Sequence, residues 1–139
     1  MIDFHKPVIE DKKWIKEKID ETVSPSCEYT FGNIFSYTAK MDLKVAEIYG
    51  CLVTRCIFED EVMYCYPIGN GDRKKAVEAL VEDGLSLGQD FRFFGITKDF
   101  AQELEQNFPG KFEIWFDRDG SDYIYNCDDL ITLKGKKYQ

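Results

Sequence analysis

The sequence predicts one α/β (α+β) domain over residues 1–139, built on a mixed, mostly antiparallel sheet with helices on both faces. Three observations lead to this prediction. The length of 139 residues is that of a single ordinary domain. Apolar residues change several times between a period of two and a helical period along the chain. Aromatic residues make up 15% of the sequence, which is enough to fill a sizeable core.

The N-terminal part is predicted to contain one strand and two helices. Residues 2–9 are typical of a short strand that ends near Pro7. Asp11 can cap a helix that runs to about Thr22, because the apolar residues that follow it share one helical face. A second, shorter helix is predicted over residues 29–37.

The middle of the chain predicts an antiparallel meander of three strands, over residues 43–49, 51–58 and 62–68. These segments are rich in β-branched and aromatic residues. Gly50 and the acidic residues 59–61 leave room only for short turns, so neighbouring segments should pair antiparallel.

The second half alternates helices with strands and has the turn residues that such an alternation needs. Its predicted elements are a helix over 73–87, a strand over 91–96, a helix from Thr97 to about 108, strands over 112–116 and 122–125, and a short helical or irregular end over 128–133. The complete predicted order is β-α-α-β-β-β-α-β-α-β-β.

The composition excludes several classes of protein. The chain carries 26 acidic against 18 basic residues, a net charge of −8, which argues against nonspecific nucleic-acid binding. The first ten residues lack the apolar stretch of a signal peptide, and no apolar run approaches the ~20 residues of a membrane helix. We therefore expect a cytoplasmic protein that is not integral to a membrane.

The cysteines are predicted to be reduced thiols, most of them buried. There are five, an odd number, and none forms a C-x-x-C pair. Because His5 is the only histidine, no metal site is expected, and a cysteine nucleophile would have no imidazole base other than His5.

Residues 66–73 have the pattern that most clearly indicates a binding site, in this case for an anion. A predicted strand ends there, two glycines follow and a helix begins, so backbone N–H groups and the helix dipole favour an anion. The candidate binding residues are Gly69, Asn70, Gly71 and Arg73. Asp72 would repel a phosphate and can instead cap the helix, so a turn with an N-cap is the alternative interpretation.

The order of elements resembles that of the GNAT N-acyltransferase superfamily, which implies a GNAT-like domain. In that superfamily the loop before the third helix holds the pyrophosphate of coenzyme A. Gly69 and Gly71 match its glycine pattern, but Tyr66 stands where a glutamine or arginine is usual. No cofactor is therefore expected, with acetyl-CoA as the alternative.

The same resemblance implies further site residues. The loop between the first two helices lines the acceptor pocket, so Cys27, Glu28 and Asn33 are candidates to face a substrate. A tyrosine often acts as general acid in these enzymes, which makes Tyr123 and Tyr125 candidates. Both sets have a structural alternative. Cys27, Glu28 and Asn33 can belong to a packed helix N-terminus, and Tyr123 and Tyr125 can be aromatic side chains packed on one face of a strand.

Five stretches, over 26–35, 66–72, 91–97, 108–113 and 117–139, resemble the N-terminal half of bacterial proteins of the phosphatidylglycerol lysyltransferase C-terminal-like family. Members are about twice this length and resemble two GNAT-like domains in tandem. The resemblance implies that this chain is the first domain of an aminoacyl- or acyltransferase, inactive alone. A second domain would be its partner and would make any contact with tRNA or lipid.

Two other functions remain open from the sequence. The chain can be a noncatalytic domain that forms a weak homodimer through apolar residues near its end, such as Ile131, Leu133 and Tyr138. Two copies with a charge of −8 repel each other, so such a dimer should strengthen with salt. The third interpretation is a free-standing coenzyme A-dependent N-acetyltransferase.

Overall fold

Four strands form one mixed sheet, in the order β1-β2-β3-β4. A computed structural model of the chain describes residues 1–22, 26–121 and 124–133. The strands are β1 (Lys44–Ile48), β2 (Cys51–Phe58), β3 (Glu61–Cys65) and β4 (Phe91–Phe94). The pairs β1–β2 and β2–β3 are antiparallel, and β4 runs parallel to β3. The prediction of a mixed, mostly antiparallel sheet in an α+β fold is confirmed.

Both hairpins of the meander close through two-residue turns. Tyr49 and Gly50 connect β1 to β2 with φ angles of 50° and 77°, and Glu59 and Asp60 connect β2 to β3 with 50° and 65°. Positive φ at both central residues is the mark of the type I′ turn, whose twist matches that of the paired strands. The turns predicted from Gly50 and the acidic run are therefore both present.

The helices are α1 (Lys12–Asp20), α2 (Phe31–Ser36), α3 (Thr38–Met41), α4 (Arg73–Ser86), α5 (Lys98–Asn107) and α6 (Cys127–Thr132). Single 3-10 turns cover Ile9–Asp11 and Cys27–Tyr29. The two long helices of the second half begin as predicted. The Asp72 carboxylate accepts from the Lys75 N–H at 3.0 Å, and the Thr97 hydroxyl accepts from the Phe100 N–H at 3.3 Å.

Helices cover both faces of the sheet. Adjacent residues of one strand point to opposite faces. Accordingly, Leu52 belongs to an apolar cluster with Ile15 of α1, whereas Val53 belongs to a second cluster with Ala76 and Leu80 of α4. In the part of the chain that the structure describes, no helix has both the length and the apolar character needed to cross a membrane.

The predicted first strand and first two helices differ from the structure in detail. Residues 2–9 form only an isolated bridge, in which His5 exchanges backbone hydrogen bonds with Val45 at 3.0 and 2.8 Å. Pro7 has no N–H to continue a ladder, and the chain turns into a 3-10 helix at Ile9–Asp11. The helix predicted over 29–37 is divided, because Thr30 is extended and starts α2 as its N-cap.

The two predicted C-terminal strands are wrong where the structure describes them. Residues 112–116 and the described part of 122–125 are not in a strand, while 122–123 lie outside the described residues. Ile114, Trp115 and Phe116 are 48%, 61% and 84% exposed. The apolar and aromatic residues that predict a strand here are therefore not matched by burial in the sheet. Only the short helical end is present, as α6.

Candidate functional site

In the anion loop predicted over residues 66–73, two backbone N–H groups already donate hydrogen bonds to other parts of the protein. The Gly69 N–H donates to the Thr22 hydroxyl at 2.8 Å, and the Asn70 N–H donates to Glu21 Oε2 at 2.9 Å. Both acceptors belong to the residues directly after α1. A carboxylate of the chain therefore occupies the position where the loop would present N–H groups to a bound phosphate.

The cation of the loop is also paired. Arg73 donates from Nε and Nη2 to the two carboxylate oxygens of Glu103 at 2.8 Å each, and from Nη1 to the Gly69 carbonyl at 3.2 Å. This bidentate contact raises the pKa of Arg73. Tyr66 donates to the same carboxylate at 3.2 Å and stacks on Phe100 with ring centroids 4.9 Å apart. The loop is thus fastened to α5.

Gly71 is required by packing against the first hairpin. A methyl group at this position would overlap the carbonyl oxygen of Tyr49 and would lie 2.5 Å from the Gly50 carbonyl carbon. The same Tyr49 oxygen accepts a hydrogen bond from the Asp72 N–H at 2.9 Å. The glycine pattern that suggests a ligand is therefore explained by close contact between two turns.

We expect acetyl-CoA to bind no more tightly than the high micromolar range in isothermal titration calorimetry. Glu21 already accepts a hydrogen bond from the Asn70 N–H and Glu103 is already paired with Arg73, so a pyrophosphate would have to displace both carboxylates and break their hydrogen bonds. The Glu21→Ala variant is the sharper probe, since a Gly71 variant would disturb the turn itself. Low-micromolar binding by the unmodified protein would contradict the expectation.

A cleft of about 1200 Å³ lies along β4 and is mostly apolar. Its walls come from β4 and the residues after it, from α4 and α5, and from the segment 111–121. Its apolar lining includes the side chains of Met63, Val81, Phe91, Phe93, Phe94, Ile96, Leu104, Phe108, Phe112, Ile114, Trp115, Phe116 and Ile124. The sequence analysis did not identify this cleft as a unit.

The charged residues that line the cleft are predominantly acidic. They are Glu28, Glu78, Glu82, Glu113 and Asp117, against Arg92 and Lys111. Arg92 is also paired with Glu61 at 2.7 Å. The cleft therefore combines an apolar lining with a net negative charge, which favours an occupant that is apolar and carries positive charge.

Of the predicted pocket residues, Glu28 alone is among the residues that line this cleft. It also lines a small neighbouring cavity of about 150 Å³, formed with Tyr37 and Phe94 among others. Gly95 permits this approach: it has a φ of +62°, and a methyl group there would lie 3.1 Å from the Glu28 Cγ atom. Burial, and secondarily the charge of Glu28, raises the pKa of Cys56 to about 11.

The other predicted site residues lie elsewhere. The Asn33 side chain donates to the Cys27 carbonyl at 2.9 Å, so it holds the turn before α2, and Cys27 is exposed. Tyr125 is 48% exposed and is not among the described residues that line the cleft. Tyr123 lies outside the described residues. Cys51, Cys56 and Cys65 are buried as predicted, whereas Cys127 is exposed.

Comparison with known proteins gives one family and one solved structure. The model of the family described as phosphatidylglycerol lysyltransferase, C-terminal, matches residues 21–139. A crystal structure of a conserved protein of unknown function from Bacteroides thetaiotaomicron matches with a TM-score of 0.91 and 32% identity. The match covers 100% of this chain and 47% of that chain, so this chain spans about half the length of its relative. No protein with a curated description matches.

Proposed function

The chain belongs to the phosphatidylglycerol lysyltransferase C-terminal family, and from this we propose that it is one GNAT-like domain of a two-domain aminoacyl- or acyltransferase. Its role is to form one wall of the substrate cleft and to pack on a second domain. The sheet supports a GNAT-like assignment, because three antiparallel strands are followed by a helical crossover, α4, to the parallel strand β4.

The exposed apolar surface of the C-terminal part is the observation that carries this proposal. Large apolar patches are rarely left open to solvent in monomeric proteins. Many of the exposed large apolar residues lie between 114 and 133, namely Ile114, Trp115, Phe116, Ile124, Tyr125, Leu130, Ile131 and Leu133. A second domain that covers this region would match a relative of twice the length.

The contacts of the anion loop support a structural role for this domain and a catalytic role for the second domain. Its N–H donors and its arginine are bound by Glu21, Thr22 and Glu103, so in this chain the loop fastens α1, α4 and α5 together. The transfer chemistry would then depend on groups that the second domain contributes to the shared cleft. Glu28 is the predicted pocket residue that lines the cleft from this side.

A fusion protein tests the proposal. Residues 1–139 are joined to the unmatched half of the Bacteroides thetaiotaomicron protein, and transfer of radiolabelled amino acids from a mixed aminoacyl-tRNA pool to phosphatidylglycerol vesicles or to peptide acceptors is measured. We expect transfer by the fusion and by the full-length relative, and none by residues 1–139 alone.

Two results would contradict the proposal. Equal transfer by residues 1–139 alone would show a self-sufficient enzyme. No transfer by the full-length relative with any acceptor would remove the aminoacyltransferase assignment. The Glu28→Gln variant of the fusion keeps the size of the side chain and removes its charge, and it tests whether this wall of the cleft takes part.

A further inference from the structure

We infer that the small cavity beside Glu28 binds the side chain of an aminoacyl group, one with a free ammonium group and an uncharged, medium-sized apolar side chain. The cavity takes the side chain, and the carboxylate of Glu28 binds the ammonium group. The inference rests on the proposed aminoacyl- or acyltransferase function and adds which aminoacyl groups this domain selects.

The small cavity lies between the short helices and the sheet. Tyr37 follows α2, Met41 ends α3 and Leu43 precedes β1, and all three line the cavity. Phe94, the last residue of β4, and Glu28 also line it. Four of these five side chains are aliphatic or aromatic. The cavity therefore favours an apolar group and offers a carboxylate beside it.

The volume of the cavity decides which part of a molecule can enter it. At about 150 Å³ it is smaller than typical small-molecule pockets of ~300–1,000 Å³. It is much larger than the ~30 Å³ that a water molecule occupies in the liquid. One amino-acid side chain therefore fits, whereas a whole ligand does not. Glu28 and Phe94 also line the large cleft, so the rest of the bound molecule can extend past them.

The neighbouring residues hold Glu28 where the two cavities meet. Glu28 lies in the 3-10 turn Cys27–Tyr29, and its N–H donates to the Ser26 hydroxyl at 3.3 Å. Tyr29 is buried and packs edge to face with Phe100, with ring centroids 5.9 Å apart. The backbone on both sides of Glu28 is therefore fixed, which lowers the entropy lost when a ligand binds.

The Glu28 carboxylate acts close to buried groups. Burial raises the pKa of Tyr29 and of Cys65, and the charge of Glu28 raises both further. Charges interact more strongly where water is scarce. A carboxylate has about four acceptor positions, so Glu28 can accept from a bound ammonium group in addition to its contacts within the protein. A charged donor also forms a stronger hydrogen bond than a neutral one.

The lining predicts which side chains are accepted. Leucine or methionine would bury apolar surface against Met41, Leu43 and Phe94. The second ammonium group of lysine would lose its hydration among these side chains. Glycine would leave the cavity unfilled. We therefore expect leucyl and methionyl groups to be preferred over lysyl and glycyl groups.

The three methionines of the chain make the two cavities separately observable by NMR. Met41 lines the small cavity, Met63 lines the large cleft, and Met1 is exposed. The protein is labelled with ¹³C at the methionine methyl groups and titrated with L-leucine amide, which keeps the ammonium group and has no carboxylate. We expect a saturable shift of the Met41 signal and no shift of the Met1 signal.

Three further ligands test the side chain and the ammonium group separately. Glycine amide, L-lysine amide and N-acetyl-L-leucine amide should each bind about tenfold more weakly than L-leucine amide, or worse. The variant Glu28→Gln should weaken binding of L-leucine amide by about tenfold. Glu82→Gln is the matched control, because Glu82 lines the large cleft and is not among the residues that line the small cavity. It should leave binding unchanged.

Several results would overturn the inference. A shift at Met63 without one at Met41 would place the ligand in the large cleft. Equal binding of glycine amide and L-leucine amide would remove the side-chain site. Equal effects of Glu28→Gln and Glu82→Gln would remove Glu28 as the partner of the ammonium group. Absence of any saturable shift would also contradict the inference, whereas transfer by the fusion protein decides the two-domain function separately.

Discussion

Replacing Asp83 by alanine is expected to lower the free energy of unfolding by about 3–5 kcal/mol. Asp83 lies on α4 and is 7% exposed. Its Oδ2 atom accepts from the Tyr64 hydroxyl at 2.6 Å and from Arg55 Nη1 at 2.9 Å. The alanine variant would leave a mostly buried guanidinium and a buried hydroxyl without their acceptor. Since small domains have ~5–15 kcal/mol of stability, this loss can remove much of the total.

Urea denaturation followed by circular dichroism measures the effect. Asp83→Asn keeps an acceptor of the same shape and should cost less. Asp20→Ala is the control, because Asp20 is 61% exposed in its ion pair with Lys16, and such a pair contributes ~0–1 kcal/mol. A loss under about 1 kcal/mol for Asp83→Ala would show that water replaces the carboxylate at no cost.

The same network predicts a loss of stability in alkaline solution. Burial, and secondarily the hydrogen bond to Asp83, raises the pKa of Tyr64 above its usual range. The folded state therefore binds this proton more tightly than the unfolded state. Its contribution to stability is complete below the unfolded-state pKa of about 10 and is lost as the pH rises towards the folded-state pKa.

The variant Gly71→Ala is expected to destabilise the protein by about 2–3 kcal/mol. The added methyl group overlaps backbone atoms of Tyr49 and Gly50, which belong to a hairpin turn and have no rotamer to change. Relief requires the loop to move away from the turn, which also breaks the hydrogen bond from the Asp72 N–H to the Tyr49 carbonyl. Thermal unfolding measured by differential scanning calorimetry gives the change directly.

Gly32→Ala is the matched control and should have the opposite sign. Gly32 lies within α2, and a methyl group there meets no heavy atom within 4 Å. Alanine is a better helix former than glycine by ~0.5–1 kcal/mol, so this variant should be slightly more stable. If both substitutions had the same small effect, the close approach of the loop to the first hairpin would be contradicted.

The meander could be predicted from the sequence because its information is local. β-Branched and aromatic residues and two short turns define β1, β2 and β3, and β2 matches its prediction residue for residue. The strand predicted over 112–116 is also rich in aromatic residues, but a strand needs a neighbouring edge as well. Within the described residues, 112–116 pair with no strand, so local composition alone predicted the wrong structure.

The candidate site was harder to predict because its contacts join distant parts of the chain. The glycines and the helix start at 69–73 indicate an anion site when considered by themselves. Glu21 and Thr22, which bind the loop amides, lie 49 and 47 residues away from their partners. No local sequence pattern predicts hydrogen bonds between residues so far apart in the chain. The cleft likewise depends on the tertiary placement of α4, α5 and the segment 111–121.

The two type I′ turns have a consequence for the order in which the chain folds. They make the pairing of β1, β2 and β3 local, and hairpins of this kind form in ~1–10 μs. β4 joins β3 only after the α4 crossover has been placed, so its pairing carries the cost of closing a longer loop. We therefore expect the meander to be structured in the folding transition state and β4 to dock afterwards. During synthesis, β3 would remain the exposed edge until the ribosome has released residues 91–94.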